Sequence, residues 1–181
     1  MAKKFHSVFI IGLLYLSFVS CGTKYSQEIL LVDSLQVELT KVQNDLNAVD
    51  ATQLVSVNIE MLKKLTFIQS NYNDTIDKKL AQTLDEYNML RQSLEMVIKN
   101  GRELSATITL SQKRLNDLKH DLQNNIPTKE KVMEYCKDER REIERIKIYV
   151  ALIRQTGDEK IKLYNSTRGG VDEVERKLNE K

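Results

Sequence analysis

The sequence predicts an all-α protein: an elongated antiparallel bundle of three long helices, interrupted in places, that follows a cleaved signal helix. Three observations point there. Pro127 is the only proline in 181 residues, apolar residues recur at spacings of three and four, and no comparable run alternates with period two. Glycine is nearly absent before residue 157, and the aromatics after residue 21 are Phe67 and six tyrosines. Such a composition suits helices and little else.

The first two dozen residues form a unit of their own. Met1-Ala2-Lys3-Lys4 is short and basic, Val8 to Val19 is almost wholly apolar, and Ser20-Cys21-Gly22 supplies small residues where the apolar run stops. This is the layout of a secretion signal. The run is about a dozen residues, against the roughly 20 a helix needs to cross a bilayer, so cleavage is the expected fate. The chain then divides into a signal peptide over 1–20, a short tether over 21–27 and one helical domain over 28–181.

Within that domain the helical stripes follow in order: Leu35, Leu39, Val42, Leu46 and Val49; Met61, Leu65, Ile68 and Tyr72; Leu104, Ile108, Leu115, Leu118 and Leu122; Ile143, Ile146, Val150 and Ile153. Asp50 with Gln53 offers a helix start, and Asp74 offers another in the polar stretch from Asn71 to Thr75. Asn124-Asn125-Ile126-Pro127-Thr128 is the strongest break, because Pro127 cannot continue a helix and Thr128 can cap the next. Asn100-Gly101, Thr156-Gly157 and Gly169-Gly170 are weaker interruptions. Val171, Val174 and Leu178 make a last short apolar face. If only the stronger breaks turn the chain, segments of 26–70, 74–124 and 128–180 pack side by side; if Asp50 and Gly101 turn it too, five or six shorter helices result. Ile76, Leu80, Leu84 and Tyr87 advance by four, four and three, an eleven-residue step that relaxes the supercoil of a strict heptad.

Phe18-Val19-Ser20-Cys21 resembles the bacterial lipoprotein signal, whose lipobox runs aliphatic, small or β-branched, small, cysteine. Val19, Ser20 and Cys21 fit it; Phe18 stands where leucine is usual, with Leu14 and Leu16 just upstream. The resemblance implies cleavage between Ser20 and Cys21, a diacylglyceryl group on the Cys21 thiol and acylation of the freed amine by a palmitate-like chain. Two or three chains anchor stably, since each buried CH₂ adds about 0.8 kcal/mol. Gly22 rather than aspartate after the cysteine resembles lipoproteins forwarded to the outer membrane of Gram-negative bacteria. No acidic cluster of the surface-export kind follows, so the body is expected to face the periplasm. Without the lipid, the same residues read as an ordinary secretory signal with Cys21 a free thiol.

Removing the signal changes the charge. The full chain carries 28 Lys and Arg against 26 Asp and Glu, but Lys3 and Lys4 leave with the signal and no acidic residue does, so the mature chain is formally neutral. No stretch clusters Lys and Arg with stacking aromatics, which argues against nucleic acid. Once Cys21 is lipidated, Cys136 has no intramolecular disulfide partner. Its place among Val132, Ile143 and Ile146 reads as a small core residue, with a disulfide-linked dimer the sharper alternative.

Each candidate for chemistry is weak. His120 is flanked by Asp117 and Asp121, but zinc sites recruit three or four ligands with Cys or several His. Glu130, Glu134, Asp138 and Glu142 recur at helical spacing and read as a solvated face, without the paired Glu-x-x-His of a di-iron bundle. No nucleophile elbow, phosphate loop or His-Glu-x-x-His helix occurs. Tyr72 and Tyr87 are expected in or beside the core with hydroxyls reaching water, Tyr25 at the lipid surface, and Tyr135, Tyr149 and Tyr164 as unprivileged contact residues.

The expectation is therefore a non-enzymatic, cofactor-free envelope protein. It is held to the membrane by its N-terminal lipid and acts as a structural or interaction module for a protein partner. The alternative is a helical module that binds a small ligand or lipid in an apolar groove.

Overall fold

A computed structural model describes residues 24–73 and 75–180. Signal residues 1–20, Cys21 and Asp74 lie outside them. The described chain is 90% helical, without a strand, in four helices: α1 (Ser26–Asn47), α2 (Ala51–Asn71), α3 (Lys78–Gln123) and α4 (Lys129–Asn179). Helices α1 and α2 follow end to end as one bent arm, and both pack on α3 and α4. The result is an antiparallel bundle three helices wide. At 1.5 Å per residue, α3 and α4 are roughly 70 and 76 Å long.

The bend in the arm has a local cause. The chain leaves α1 through Ala48 N–H donating to Asn44 and Val49 N–H donating to Leu46. Asp50 then restarts the helix, its carboxylate accepting from the Gln53 amide at 2.8 Å, as the sequence predicts. The next cap differs from expectation: Asp77 accepts from the Leu80 amide at 2.8 Å, so α3 starts at Lys78 rather than at 74. The 124–128 turn is a Schellman closure. Asn125 takes a left-handed φ of 56°, its amide donates to Leu122 and that of Ile126 donates to Asp121, satisfying carbonyls the helix end would orphan. Thr128 holds the N-cap position of α4 without a side-chain cap bond.

The weaker interruptions do not turn the chain. α3 runs through Gly101, and α4 through Gly157, Gly169 and Gly170. A mid-helix glycine costs about 0.5–1 kcal/mol, less than an amphipathic face gains by packing. Gly157 lies under Leu54 and Val97: a Cβ there would stand 3.5 Å from the first and 3.9 Å from the second, in ordinary contact with both.

The apolar stripes meet along one line. Leu35, Leu39, Val42, Met61, Ile68, Leu94, Ile108, Leu115, Ile143 and Ile146 are all buried. Ile76 precedes α3 and is exposed. The packed body also begins earlier than the boundary drawn at residue 28, since Tyr25 is buried and its hydroxyl donates to the Pro127 carbonyl.

Two substitutions test this account. Gly101 has nothing within 4 Å of where its Cβ would stand. Gly101→Ala should therefore stabilise the bundle by about 0.5–1 kcal/mol and raise Tm by about 1–4 °C in a thermal melt. Ile108→Ala, in the fully packed line, should cost about 2–5 kcal/mol in urea unfolding.

Candidate functional site

Residues singled out in the sequence separate into three groups. Ser20 and Cys21, the cleavage and lipidation positions, lie outside the described residues. Cys136 is buried, and burial pushes its thiol pKa up, as befits an inert core position. His120 sits in the last turn of α3 beside Asn124. Among the described residues no group of three or more His, Cys, Asp and Glu could hold a metal ion. Glu142 and Asp138 pair with Arg145 and Arg141 on their own helix.

The tyrosines depart most from expectation. Tyr25 is covered by protein rather than presented to lipid. Tyr87 and Tyr164 are each 2% exposed, with ring centroids 6.4 Å apart. The Tyr87 hydroxyl has no hydrogen-bond partner among the described residues, and burial raises the pKa values of both tyrosines. Tyr135 and Tyr149 remain half exposed.

Around that pair lies a polar lock between α2 and α4. Lys64, with a side chain 15% exposed, reaches Glu60 at 3.0 Å and Glu175 at 3.7 Å and also bonds Asp172. Burial works against its ammonium, yet the bonds to Asp172 and Glu60 outweigh it and hold the pKa above the ordinary lysine value. The neighbouring Tyr164 hydroxyl does most to keep the Glu60 carboxyl below the usual carboxylate range; burial opposes it, and Lys64 and Arg168 reinforce it. These groups join helices and leave no free nucleophile or base facing a cavity, so the lock reads as structural.

Two surfaces offer binding. The first is the outer seam between α3 and α4, on the side away from the arm. Its register is set by Arg114 against Glu139 and Gly170 against Thr83. Clefts of about 460 and 660 Å³ follow it, lined by α3 and α4 alone. Tyr149 and Leu152 line one, Met89 and Leu163 the other. Leu152 is 54% exposed and Met89 68%. Met96, seven residues beyond Met89, continues the same face, exposed as well. The second surface is a cleft of about 790 Å³ at the bend of the arm, where Leu46, Val49, Val55 and Ile59 face Ile98, Gly101 and Arg102 of α3.

Neither was read from the sequence, though both left signals. Met89, Met96, Leu152 and Leu163 are apolar residues that fall off the core stripes. Asp33 pairs with Lys119 at 2.7 Å and Gln36 donates to Asn116 at 2.6 Å. That antiparallel register carries Asp50 to the level of Gly101 and Arg102, so two interruptions noted separately coincide in space.

No family model, curated protein or solved structure matches the chain. Function must be argued from its own surfaces.

The lock yields a pH dependence whose sign is fixed. A carboxyl with a folded pKa below its ordinary 4.5 contributes fully above that value and loses its contribution as pH falls through the depressed one. Lys64 is the mirror case, complete below its ordinary 10.5 and lost as pH rises through the raised value. Urea unfolding should therefore show stability falling below pH 4.5, with Glu60→Gln flattening part of that fall. Lys64→Met should cost about 1–2 kcal/mol at pH 7, between an exposed ion pair and a buried charge-assisted bond.

Proposed function

We propose that the chain is a non-catalytic, lipid-anchored interaction module of the bacterial cell envelope. It is held at Cys21 in the outer membrane, and its bundle extends into the periplasm to bind a protein partner. The observation that supports this best is the open α3–α4 seam. Met89, Met96, Tyr149, Leu152 and Leu163 expose apolar surface there, where none of the described helices covers it. Contiguous apolar surface rimmed by polar residues is the usual mark of an interaction site, and a groove between two helices suits an amphipathic helix laid along it.

The anchor reading adds an orientation. Tyr25 fastens the start of the body to Pro127, so a lipid four residues earlier would hang from the end that carries the 124–128 turn. Ile126 is 67% exposed in that turn. Among the described residues no helix is long and apolar enough to cross a membrane, so attachment would rest on the lipid.

Two measurements check the reading separately. Cys21→Ala should move the protein from the membrane to the soluble periplasmic fraction; membrane association that persists until detergent is added would sink the anchor. A photo-cross-linker placed at Leu152 in living cells should give an adduct of one discrete mass, absent when it is placed at exposed Lys41 on α1. Met89→Asp with Leu163→Asp should abolish that adduct while leaving the thermal melt within about 0.5 kcal/mol. An adduct indifferent to those changes would exclude the seam.

A further inference from the structure

The cleft at the bend differs in chemistry from the seam. Arg102 is the only charged side chain in its lining, in a chain where 30% of residues are charged. The seam clefts are mixed, with Glu86 and Lys160 in one and Glu103, Glu142 and Arg145 in the other. Arg102, like Arg140, Arg154 and Arg168, has no carboxylate partner among the described residues, whereas Arg91, Arg114, Arg141, Arg145 and Arg176 do; of the four it alone lines this cleft. The rest of the lining is largely apolar, with the neutral polar side chains of Asn47, Thr52, Ser56 and Ser105 among it. Gly101 leaves the α3 side bare, and the volume lies within the roughly 300–1,000 Å³ of small-ligand sites.

We propose that this cleft binds a single-chain amphipathic anion. The acyl chain lies along Leu46, Val49, Val55, Ile59 and Ile98, and the carboxylate or phosphate head sits at Arg102. Largely apolar walls with one cation at the edge favour that class: an anionic head adds a charge-assisted bond to Arg102 that a neutral amphiphile lacks, and a small inorganic anion leaves the apolar wall wet. The bend is about 33 Å along α1 from Ser26, so a lipid held there has left any bilayer at the N-terminal end. The proposal goes beyond the interaction reading and occupies a different face, so either can fail alone.

The chain contains no tryptophan, so Ile59→Trp places a single reporter in the cleft and Leu30→Trp a control on exposed α1 surface. In the full chain held in amphipol, dibromostearate should quench the Ile59→Trp emission saturably at one equivalent and leave Leu30→Trp nearly unchanged. Arg102→Glu should raise the Kd about tenfold or more. Gly101→Leu, which fills the cleft, should remove the saturable phase without lowering Tm. Brominated lysophosphatidylglycerol run beside dibromostearate tells a phosphate head from a carboxylate, and saturable binding of either supports the site. Equal quenching at both reporters, binding of brominated monoacylglycerol as tight as that of the acids, or indifference to Arg102→Glu would overturn it. So would closure of the cleft by a second copy, seen as a dimer in which Ile59→Trp is shielded and no lipid is retained.

Discussion

A rod three helices wide has room for one line of side chains between its members, so every apolar stripe must stay on the common axis for its whole length. Much else follows from that constraint. The buried positions meet it with a seven-residue repeat, stepping by four and three from Val32 to Leu46 on α1, from Tyr87 to Leu122 on α3 and from Val132 to Gly157 on α4. This is the pattern that holds a stripe on the axis through a slow left-handed supercoil. The eleven-residue step expected from Ile76, Leu80, Leu84 and Tyr87 does not propagate: Ile76 is exposed, Leu80 and Leu84 are only half buried, and the heptad runs from Tyr87 onward. Ion pairs then hold the arm in place: Glu28 with Lys129 at 3.3 Å, Glu38 with Lys147 and Lys64 with Asp172. Exposed pairs add little stability each. Their value is positional, because all three advance together along the arm and α4, and a slip by one turn would break them in concert.

The same constraint explains why the bend matters. Asp50, Gly101 and Gly157 stand at nearly one level of the rod, each on a different member. On α4 the bare glycine is filled, because Leu54 enters beside Val97. On α3 it is not: α1 ends and α2 restarts just where side chains would have crossed to Gly101, and the volume stays open. Two identical residues therefore have opposite consequences, decided by whether the arm is continuous opposite them.

The bundle was largely legible in the sequence, since periodicity, a single proline and the Asp50 cap are local signals that tertiary packing reinforces. What failed was of two kinds. Asp74 has the right chemistry for a cap, but the cap of α3 is Asp77, because several polar residues in a turn compete and backbone geometry chooses among them; Thr128 does hold the N-cap position of α4, though without a side-chain bond. Tyr25 and Tyr164 are buried where the sequence suggests lipid or a free contact surface, and Tyr87 is in the core as expected but with its hydroxyl covered, because burial of an aromatic depends on which helix lies across from it. Both binding surfaces were illegible for that reason: the seam exists because the arm covers only one side of the α3–α4 pair, and the cleft because two breaks share a level. Neither can be read along one helix.

The rod is also polar end to end, which bears on how its surfaces could be used. Near the 124–128 turn the α3–α4 pair is fastened by Arg114, Glu139 and Ser111, and Tyr25 closes the tip over Pro127. The exposed apolar residues of the seam begin farther along, between the levels of Tyr149 and Met89. From Asn124 to Val97 is about 40 Å of helix. With a lipid at the near end, as proposed, the open seam would stand clear of headgroups and their screening ions. The near end exposes apolar side chains of its own, Ile126 and Met133, and the clamp of Arg114, Glu139 and Ser111 lies between them and the seam, so the two apolar regions are separate surfaces of one rod.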